Sequence, residues 1–395
     1  MTSADPTPES TDDAGDSTLS TSDSVPSEPV AANSIEPANG MAANPKVVLP
    51  QPNLLVALAL TTVPWIAQLI VVVVLLFVVP FLFLIITARP HEVWQFTEDL
   101  NVFLVPAGSF ATLLVAVTVC LLFFGRSMAR KVAWRGVSIG QIICVLALTV
   151  PLAVLASEVT NCVGALMQQF ESDWLRDLHE KKAEMFLQFV SQPWWFVFVS
   201  ACLLPGLGEE IYCRGLFSHG LIARYGVVGG TLLAAGLFGA MHLEPVQAIG
   251  AFSLGILLQF VFLTTRSIAA PIVLHTLNNS FAFLTLRYAE SYPVPGLTPM
   301  PDGTISQTPI AVLATAAIAV ATLMAIMFQN RTRWRLPDGT EWSPGYVTAE
   351  IPDASIGAIA GREAPSPLLV CGAVVALGLF IATIIAAHLS VVASS

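Results

Sequence analysis

Long apolar runs follow one another along most of this chain. A helix of about 20 apolar residues is long enough to cross the hydrocarbon core of a bilayer. Nine runs approach that length, and mostly polar, basic or Pro- and Gly-containing segments separate them. They lie near residues 65–87, 103–124, 139–157, 194–214, 227–243, 246–265, 268–288, 309–328 and 366–389. The pattern predicts an all-α fold, a polytopic transmembrane helical bundle with about eight or nine membrane helices.

Some boundaries of these runs are open to more than one interpretation. The apolar residues 53–64 are broken at Pro64, so they form either an interfacial helix or an extension of the first membrane helix. The third run can continue to about Met167. The segment 168–190 carries apolar residues at helical spacing, and we interpret it as an amphipathic connector.

Basic residues in short loops predict the orientation, because Lys and Arg are enriched on the cytoplasmic side. The loop 126–135 contains four basic residues and no acid, whereas 168–190 contains five acids and three bases. If the chain crosses the membrane nine times, the same side as loop 126–135 also contains Arg224, Arg266 and the cluster 331–335. We therefore predict a cytoplasmic N-terminus and an outer C-terminus.

Composition changes the picture at the N-terminus. Of 395 residues, 55% are hydrophobic and 11% are charged, against about a quarter charged in a soluble domain. The first 45 residues hold eight acids and no Lys or Arg, which explains much of the net charge of −10. Such a segment cannot bury enough apolar surface to fold, so we predict a disordered acidic tail. The tail and the lack of trafficking signals favour the inner membrane of a bacterial cell.

Ionisable and amide side chains gather in three of the predicted helices. Such groups are costly inside a membrane and usually have a functional reason. Taken singly, each is more often a solvated face or a helix–helix hydrogen bond, but their joint occurrence favours a functional site. Other histidines, including His219 and His388, lack such partners in the sequence and are expected at the surface or the interface. The clustered residues are Glu209, Glu210 and Arg214, then Phe238 and His242, then His275 and Asn279.

Helical spacing predicts different roles for the two adjacent glutamates. Glu210 and Arg214 are four residues apart with the acid first, the favourable order for an ion pair, so Glu210 is expected to be structural. Glu209 lies about 100° round the helix and faces elsewhere. His275 and Asn279 are also four apart and share a face.

The three polar patches can meet at one depth. Helices four and five form a hairpin near Gly226, and Glu209 lies 17 residues before that turn while His242 lies 16 after it. His275 is closer to its own turn by roughly eight residues, about 12 Å along a helix. The mismatch disappears if the first hairpin projects beyond the bilayer by about two turns. We therefore predict a site in the cytoplasmic half of the membrane.

The chemistry that such a group supports is activation of water. A carboxylate among apolar neighbours holds its proton more tightly, which suits a general base. One histidine can position the water, and a second histidine and an asparagine amide can donate hydrogen bonds to the oxyanion that develops at a carbonyl. His242, His275 and Glu209 can also form a zinc set, although the helical His-Glu-x-x-His motif is absent. Both a zinc-dependent and a metal-free mechanism stay open.

As a set, Glu209-Glu210-x-x-x-Arg214, Phe238-x-x-x-His242 and His275-x-x-x-Asn279 resemble the three motifs of the CAAX-protease and bacteriocin-processing family. This family, also called ABI or type II CAAX prenyl endopeptidases, consists of intramembrane proteases. The resemblance covers about residues 194–288. It implies that Glu209 is the general base and that His242 assists it. It also implies that His275 and Asn279 stabilise the oxyanion, while Glu210, Arg214 and Phe238 support the site.

The resemblance completes a four-part division of the chain. A disordered acidic tail (1–50) is followed by N-terminal transmembrane helices with the amphipathic connector (51–190). A catalytic CAAX-protease-like transmembrane core (191–290) precedes C-terminal transmembrane helices with a polar cytoplasmic loop (291–395). The expected partners are the lipid bilayer and a membrane-embedded or lipidated peptide or protein substrate. The sequence contains no nucleic-acid-binding patch, so no nucleic acid partner is expected.

Two other classes of function compete with the protease. One is a non-catalytic membrane binding protein, such as an immunity or scaffold protein, that keeps the polar cluster for helix packing. The other is a proton-coupled transporter in which the glutamates and histidines relay protons. Transporters often contain two related halves, and no such repeat is evident here.

Overall fold

The computed structural model describes residues 49–170, 176, 181, 186–298 and 307–393. These residues belong to a single unit, Val47–Ser395. The predicted acidic tail, apart from Leu49 and Pro50, lies outside the described residues, and so does most of the predicted connector 168–190.

Eight long helices make up most of the described chain, which confirms the all-α prediction. They are α1 (Leu54–Thr87), α2 (Pro90–Lys131), α3 (Ile139–Gln168), α4 (Trp194–Ala240), α5 (Pro245–Thr265), α6 (Ala269–Arg287), α7 (Ile310–Gln329) and α8 (Pro367–Val392). Short 3₁₀ or π-helical turns interrupt the regular geometry of α1, α2 and α4.

All nine predicted runs lie within these helices, but they are distributed differently from the prediction. Within the described residues, seven helices are long and apolar enough to cross a membrane. The lower count arises because α4 contains two of the predicted runs. In addition, α6 is not among the seven, since a histidine and two asparagines lower its apolar character.

The helix α4 reverses direction at Gly226, which divides it into two arms, residues 194–225 and 227–240. Gly226 has φ 72° and ψ −179°, a backbone conformation that favours glycine. A Cβ atom at Gly230 would lie 2.5 Å from the Ile222 Cα, so the backbones of the two arms are in close contact beside the turn. Further along, Cys213 Sγ lies 3.8 Å from Met241 Sδ. The predicted hairpin is confirmed.

Local sequence signals explain where several helices begin and end. The Asn53 side chain accepts a hydrogen bond from the Val56 amide, and α1 then continues through Pro64. The apolar residues 53–64 are therefore an extension of the first helix and not a separate interfacial helix. Ser366 caps α8 in the same way, and α5 ends at Arg266 in a left-handed conformation with φ 48°.

The predicted cytoplasmic loops meet at one end of the bundle, which we call the basic end. Backbone hydrogen bonds join Ile268 N to Ala133 O (3.1 Å) and Thr332 N to Thr264 O (2.8 Å). The segment 330–366 therefore packs against the loops that precede α3 and α6. The predicted outer segments meet at the opposite end, where Asn161 Nδ2 donates to Gly296 O (2.8 Å). The basic loops therefore lie together at one end of the bundle and the predicted outer segments at the other, as the charge pattern predicts.

The polar loop 336–365 contains more structure than its composition predicts. Strands β1 (Arg333–Arg335) and β2 (Ile359–Gly361) form an antiparallel pair at its base. Beyond β1, Glu350 enters the bundle and pairs with Lys131 Nζ at 2.6 Å. It also lies 3.6 Å from Nε2 of His219, which is buried. The surface or interfacial position expected for His219 was wrong, because a distant loop covers it.

The site lies inside the main apolar core, which includes Tyr212, Phe217, Phe238, Leu258 and Leu274. The outward faces of α1, α7 and α8 expose many large apolar side chains, as expected for surfaces against lipid. Small residues bring the inner helices close together, as is typical of membrane bundles.

Candidate active site

A buried ion pair forms the base of the polar cluster. Glu210 is 0% exposed and Arg214 is 2% exposed, and their closest atoms, Oε1 and Nη1, are 2.7 Å apart. Arg214 Nη2 also donates to Gly255 O on α5 at 2.9 Å, and the guanidinium lies 4.6 Å from the centre of the Phe238 ring. The pair that the spacing predicts is present, and it connects both arms of α4 to α5.

His275 joins this ion pair to the second glutamate. Its Nδ1 lies 2.9 Å from Glu210 Oε1, and its Nε2 lies 3.8 Å from Glu209 Oε2. An ionised carboxylate can only accept, so Nδ1 of His275 must donate to Glu210. The predicted meeting of α4 and α6 therefore occurs at these three side chains.

The two adjacent glutamates have different surroundings. Glu209 is 18% exposed, whereas Glu210 is fully enclosed and has two cationic or polar partners. Their different orientation follows from the helical rotation between neighbouring residues. Glu209 is therefore the carboxylate that solvent or a bound molecule can reach.

His242 reaches the cluster through Phe238. Its Nδ1 lies 3.0 Å from the Phe238 carbonyl oxygen, which accepts only, so Nδ1 carries the proton and Nε2 of the neutral ring has a free lone pair. The Phe238 ring lies edge-on to both His242 and His275, with centroids 5.2 and 5.8 Å apart. Phe238 thus separates and orients the two imidazoles.

Asn279 lies one turn beyond His275 on α6. Its Nδ2 donates to the Ala201 carbonyl at 3.3 Å, so it contacts the part of α4 that precedes the glutamates. Ala201 lies in a π-helical turn, Phe198–Leu203, and a second π-helical turn, Ile211–Phe217, follows Glu210. Turns of this kind are frequent at functional sites because they change the direction in which side chains point.

Close packing between α4 and α6 fixes these distances, and the sequence reasoning missed it. A Cβ atom at Gly206 would lie 2.4 Å from Thr276 Oγ1, so a side chain at this position would separate the helices. The Gly255 carbonyl was also missed as the second partner of Arg214. A Gly-x-Gly sequence immediately before the glutamate pair, at Gly206 and Gly208, was the available signal.

The possible zinc set of His242, His275 and Glu209 stays a prediction. Among the described residues, no group of three or more His, Cys, Asp or Glu side chains is placed to hold a metal ion. His242 Nε2 and His275 Nε2 are both nitrogens of the kind that zinc prefers. Glu209 Oε2 lies 3.8 Å from His275 Nε2, which is too long for a hydrogen bond between them.

Comparison with protein families gives one match. Residues 191–281 match the family model described as Rce1-like, type II CAAX prenyl endopeptidase Rce1-like. The match contains all three predicted motifs and confirms the resemblance to the CAAX-protease family. No curated protein and no solved structure matches the chain. Together with the apolar helices, the match supports an integral membrane protein with a peptidase-type core.

Proposed function

We propose that this protein is an intramembrane endopeptidase in which Glu209 activates water against a peptide bond. The observation that carries the proposal is the contrast within one pair of neighbours. Glu210 is fully enclosed by Arg214 and His275, whereas Glu209 keeps access and faces the opposite ring nitrogen of the same histidine. One carboxylate braces the site and the other is free to take a proton. The family match of residues 191–281 supports the same reaction class.

In the proposed reaction, Glu209 removes a proton from water as the water oxygen attacks the carbonyl carbon of the substrate. The same carboxylic acid then gives that proton to the leaving amine when the carbon–nitrogen bond breaks. The products are a carboxylic acid and an amine, which become a carboxylate and an ammonium by transfer of the second water proton, and Glu209 returns to its starting form. A general base of this kind contributes about 10²–10⁴-fold to rate.

His242 is suited to orient the water. Its Nδ1–H is committed to the Phe238 carbonyl, so Nε2 can accept a hydrogen bond from the water that Glu209 deprotonates. Rotation of the ring is restricted by the edge-on contact with Phe238. A fixed acceptor reduces the reorganisation that the reaction requires.

His275 and Asn279 are the proposed donors to the oxyanion. Nδ1 of His275 donates to Glu210, and Nε2 lies 3.8 Å from Glu209 Oε2, where a proton on Nε2 would let it donate to the oxyanion of the substrate. Asn279 Nδ2 has two hydrogens, of which the Ala201 carbonyl needs one. Donors that are held before the reaction stabilise negative charge effectively in a site that excludes water.

The proposed substrate is a membrane-embedded or lipidated peptide or protein. The site lies among apolar helices, so a substrate must reach it from the bilayer or through the basic end. We further propose that the N-terminus and the basic end are cytoplasmic and that the membrane is the inner membrane of a bacterial cell, because basic loops favour the cytoplasmic side.

The test is cleavage of a membrane-peptide library by the purified protein in detergent. Glu209→Gln is expected to lower the rate at least about 100-fold while the thermal unfolding midpoint stays close to that of the parent. Glu98→Gln is the matched control, because Glu98 contacts Trp94 on an exposed helix face and should retain full activity. Equal cleavage by Glu209→Gln and the parent would refute the mechanism. No cleavage by any variant, including the parent, would favour the binding or scaffold protein.

The zinc-dependent mechanism is a separate proposal with its own measurement. Metal analysis of the purified active protein gives the stoichiometry of zinc directly. About one zinc per chain that is lost in His242→Ala and His275→Ala would support a metalloprotease. An active protein without zinc would support the glutamate mechanism.

A further inference from the structure

A cavity with several polar side chains lies at the basic end, between the end of α5 and the segment that leads to Glu350. Its volume is about 250 Å³, which is enough for a small polar group and part of the molecule that carries this group. Its walls carry a guanidinium, an indole and three hydroxyl groups, from Arg266, Trp342, Ser343, Tyr346 and Thr348, together with the carboxylate of Glu341. None of these residues belongs to the three motifs of the candidate active site.

Arg266 is the central feature of this cavity. It has φ 48°, an uncommon conformation for a residue with a side chain, and it follows α5 directly. Its side chain is 15% exposed, and Nη2 lies 3.3 Å from Glu341 Oε1, a long contact with a half-exposed partner. Its Nη1 is buried and has no hydrogen-bond partner among the described residues. A guanidinium donor without an acceptor is costly when solvent is excluded.

The charges around Arg266 are unbalanced. Arg135 is already occupied by the carbonyl oxygens of Arg266 and Thr265, which confirms that these two arginines lie side by side. Burial, followed by the charges of Arg362 and Arg266, lowers the pKa of Arg135 to about 10. Burial also lowers the pKa of Arg266, which Glu341 partly offsets. Several guanidinium groups thus share a confined space with one directly paired carboxylate.

The hydroxyl groups opposite Arg266 can complete an anion site. Thr348 Oγ1 accepts from the Glu350 amide at 3.1 Å, so its own hydrogen remains available to donate. Tyr346 is partly enclosed, and burial raises the pKa of its phenol to about 12, which keeps it a donor at neutral pH. Ser343 Oγ makes a long contact of 3.3 Å with the Tyr346 carbonyl, so a better acceptor can displace it.

We propose that this cavity binds a phosphate group, held by the guanidinium of Arg266 and by the hydroxyls of Tyr346 and Thr348. A phosphate supplies further acceptor oxygens and a negative charge that offsets the surplus of guanidinium groups around Arg266, and guanidinium–phosphate hydrogen bonds are strong. The ligand is either the headgroup of an anionic phospholipid or a free phosphate compound. The proposal does not depend on the peptidase reaction.

The binding test uses the full chain and two probes, inorganic phosphate in detergent and nanodiscs of phosphatidylglycerol in phosphatidylcholine. Either probe is expected to raise the unfolding midpoint of the parent relative to chloride or to pure phosphatidylcholine. Arg266→Gln should weaken the apparent affinity about tenfold or more. Arg335→Gln, at the same end but outside the cavity and half-exposed, is the matched control and should bind as the parent does.

A gain-of-binding variant keeps the test valid if Arg266→Gln fails to fold. Glu341→Gln removes the carboxylate that competes for Arg266, so it should bind phosphate several-fold more tightly than the parent. A response to phosphate alone indicates a soluble ligand, and a response to phosphatidylglycerol alone indicates a lipid headgroup; both support the site. No response to either probe, or equal responses in the parent, Arg266→Gln and Glu341→Gln, would overturn the proposal.

Discussion

Removal of the Arg214 charge is the most informative perturbation of the site. Arg214→Met keeps most of the side-chain volume but deletes three interactions: the ion pair with Glu210, the hydrogen bond to Gly255 O, and the contact with the Phe238 ring. The variant leaves Glu210 fully buried with His275 as its remaining hydrogen-bond partner. The perturbation therefore isolates one carboxylate in an apolar surrounding.

The expected loss of stability follows from this burial. Breaking a buried ion pair on one side costs about 3–5 kcal/mol, because the remaining charge is not compensated. A loss of this size is expected because the Arg214 and Glu210 side chains are 2% and 0% exposed, so solvent cannot reach the unpaired Glu210. Removing the second charge as well, in Arg214→Met with Glu210→Gln, should restore about 2 kcal/mol of that loss.

The assay is equilibrium unfolding in mixed micelles with an increasing fraction of denaturing detergent, followed by tryptophan fluorescence. Arg335→Met is the control, since this arginine is half-exposed and its ion contact is long, and it should change stability by less than about 0.5 kcal/mol. The reasoning would be wrong if Arg214→Met were within about 1 kcal/mol of the parent. It would also be wrong if the double variant were as unstable as the single one.

Three further outcomes test other parts of the structure. Gly206→Ala places a Cβ atom 2.4 Å from a threonine hydroxyl of α6 and should cost about 1–3 kcal/mol in the same assay, whereas Gly236→Ala, with no atom within 4 Å, should be neutral. Lys131→Met removes the 2.6 Å pair with Glu350, so the loop 336–365 should be cut faster by added protease than in the parent. Hydrogen bonds from the serine two residues further on, first its amide and then its hydroxyl, lower the pKa of Asp353. The folded turn therefore gains stability above the usual carboxyl pKa of about 4 and loses it as pH falls through the lowered value, which amide hydrogen exchange of the parent and Asp353→Asn measures.

Periodic apolar runs were sufficient to predict the helices because each run alone determines whether a segment can enter a bilayer. The hairpin at Gly226 and the ion pair of Glu210 with Arg214 were also predictable, since both depend on residues close together in the chain. The union of α4 with α6 required depth matching, and the contact of His275 with Glu210 agrees with that argument.

Contacts between distant segments were beyond the reach of these patterns. His219 and Glu350 are separated by most of four helices, and neither has a local signal for the other. The π-helical turns around the glutamates were missed for a related reason. Their extra residue per turn is tolerated because tertiary packing compensates for it, and no residue preference in the sequence marks it. The close approach at Gly206 likewise depends on the neighbour as much as on the glycine.

The arrangement of the polar residues explains why the site can lie within an apolar bundle. Each buried charge has a partner on another structural segment: Arg214 joins α4 to α5, and His275 joins α6 to both glutamates of α4. These contacts are costly to desolvate, so they add little net stability, but they impose one relative position on three helices. The proposed role of Glu209 requires such a fixed position, since a general base must lie within hydrogen-bond reach of the proton that it removes. In the proposed mechanism, the ion pair of Glu210 with Arg214 therefore positions the neighbouring carboxylate that activates water.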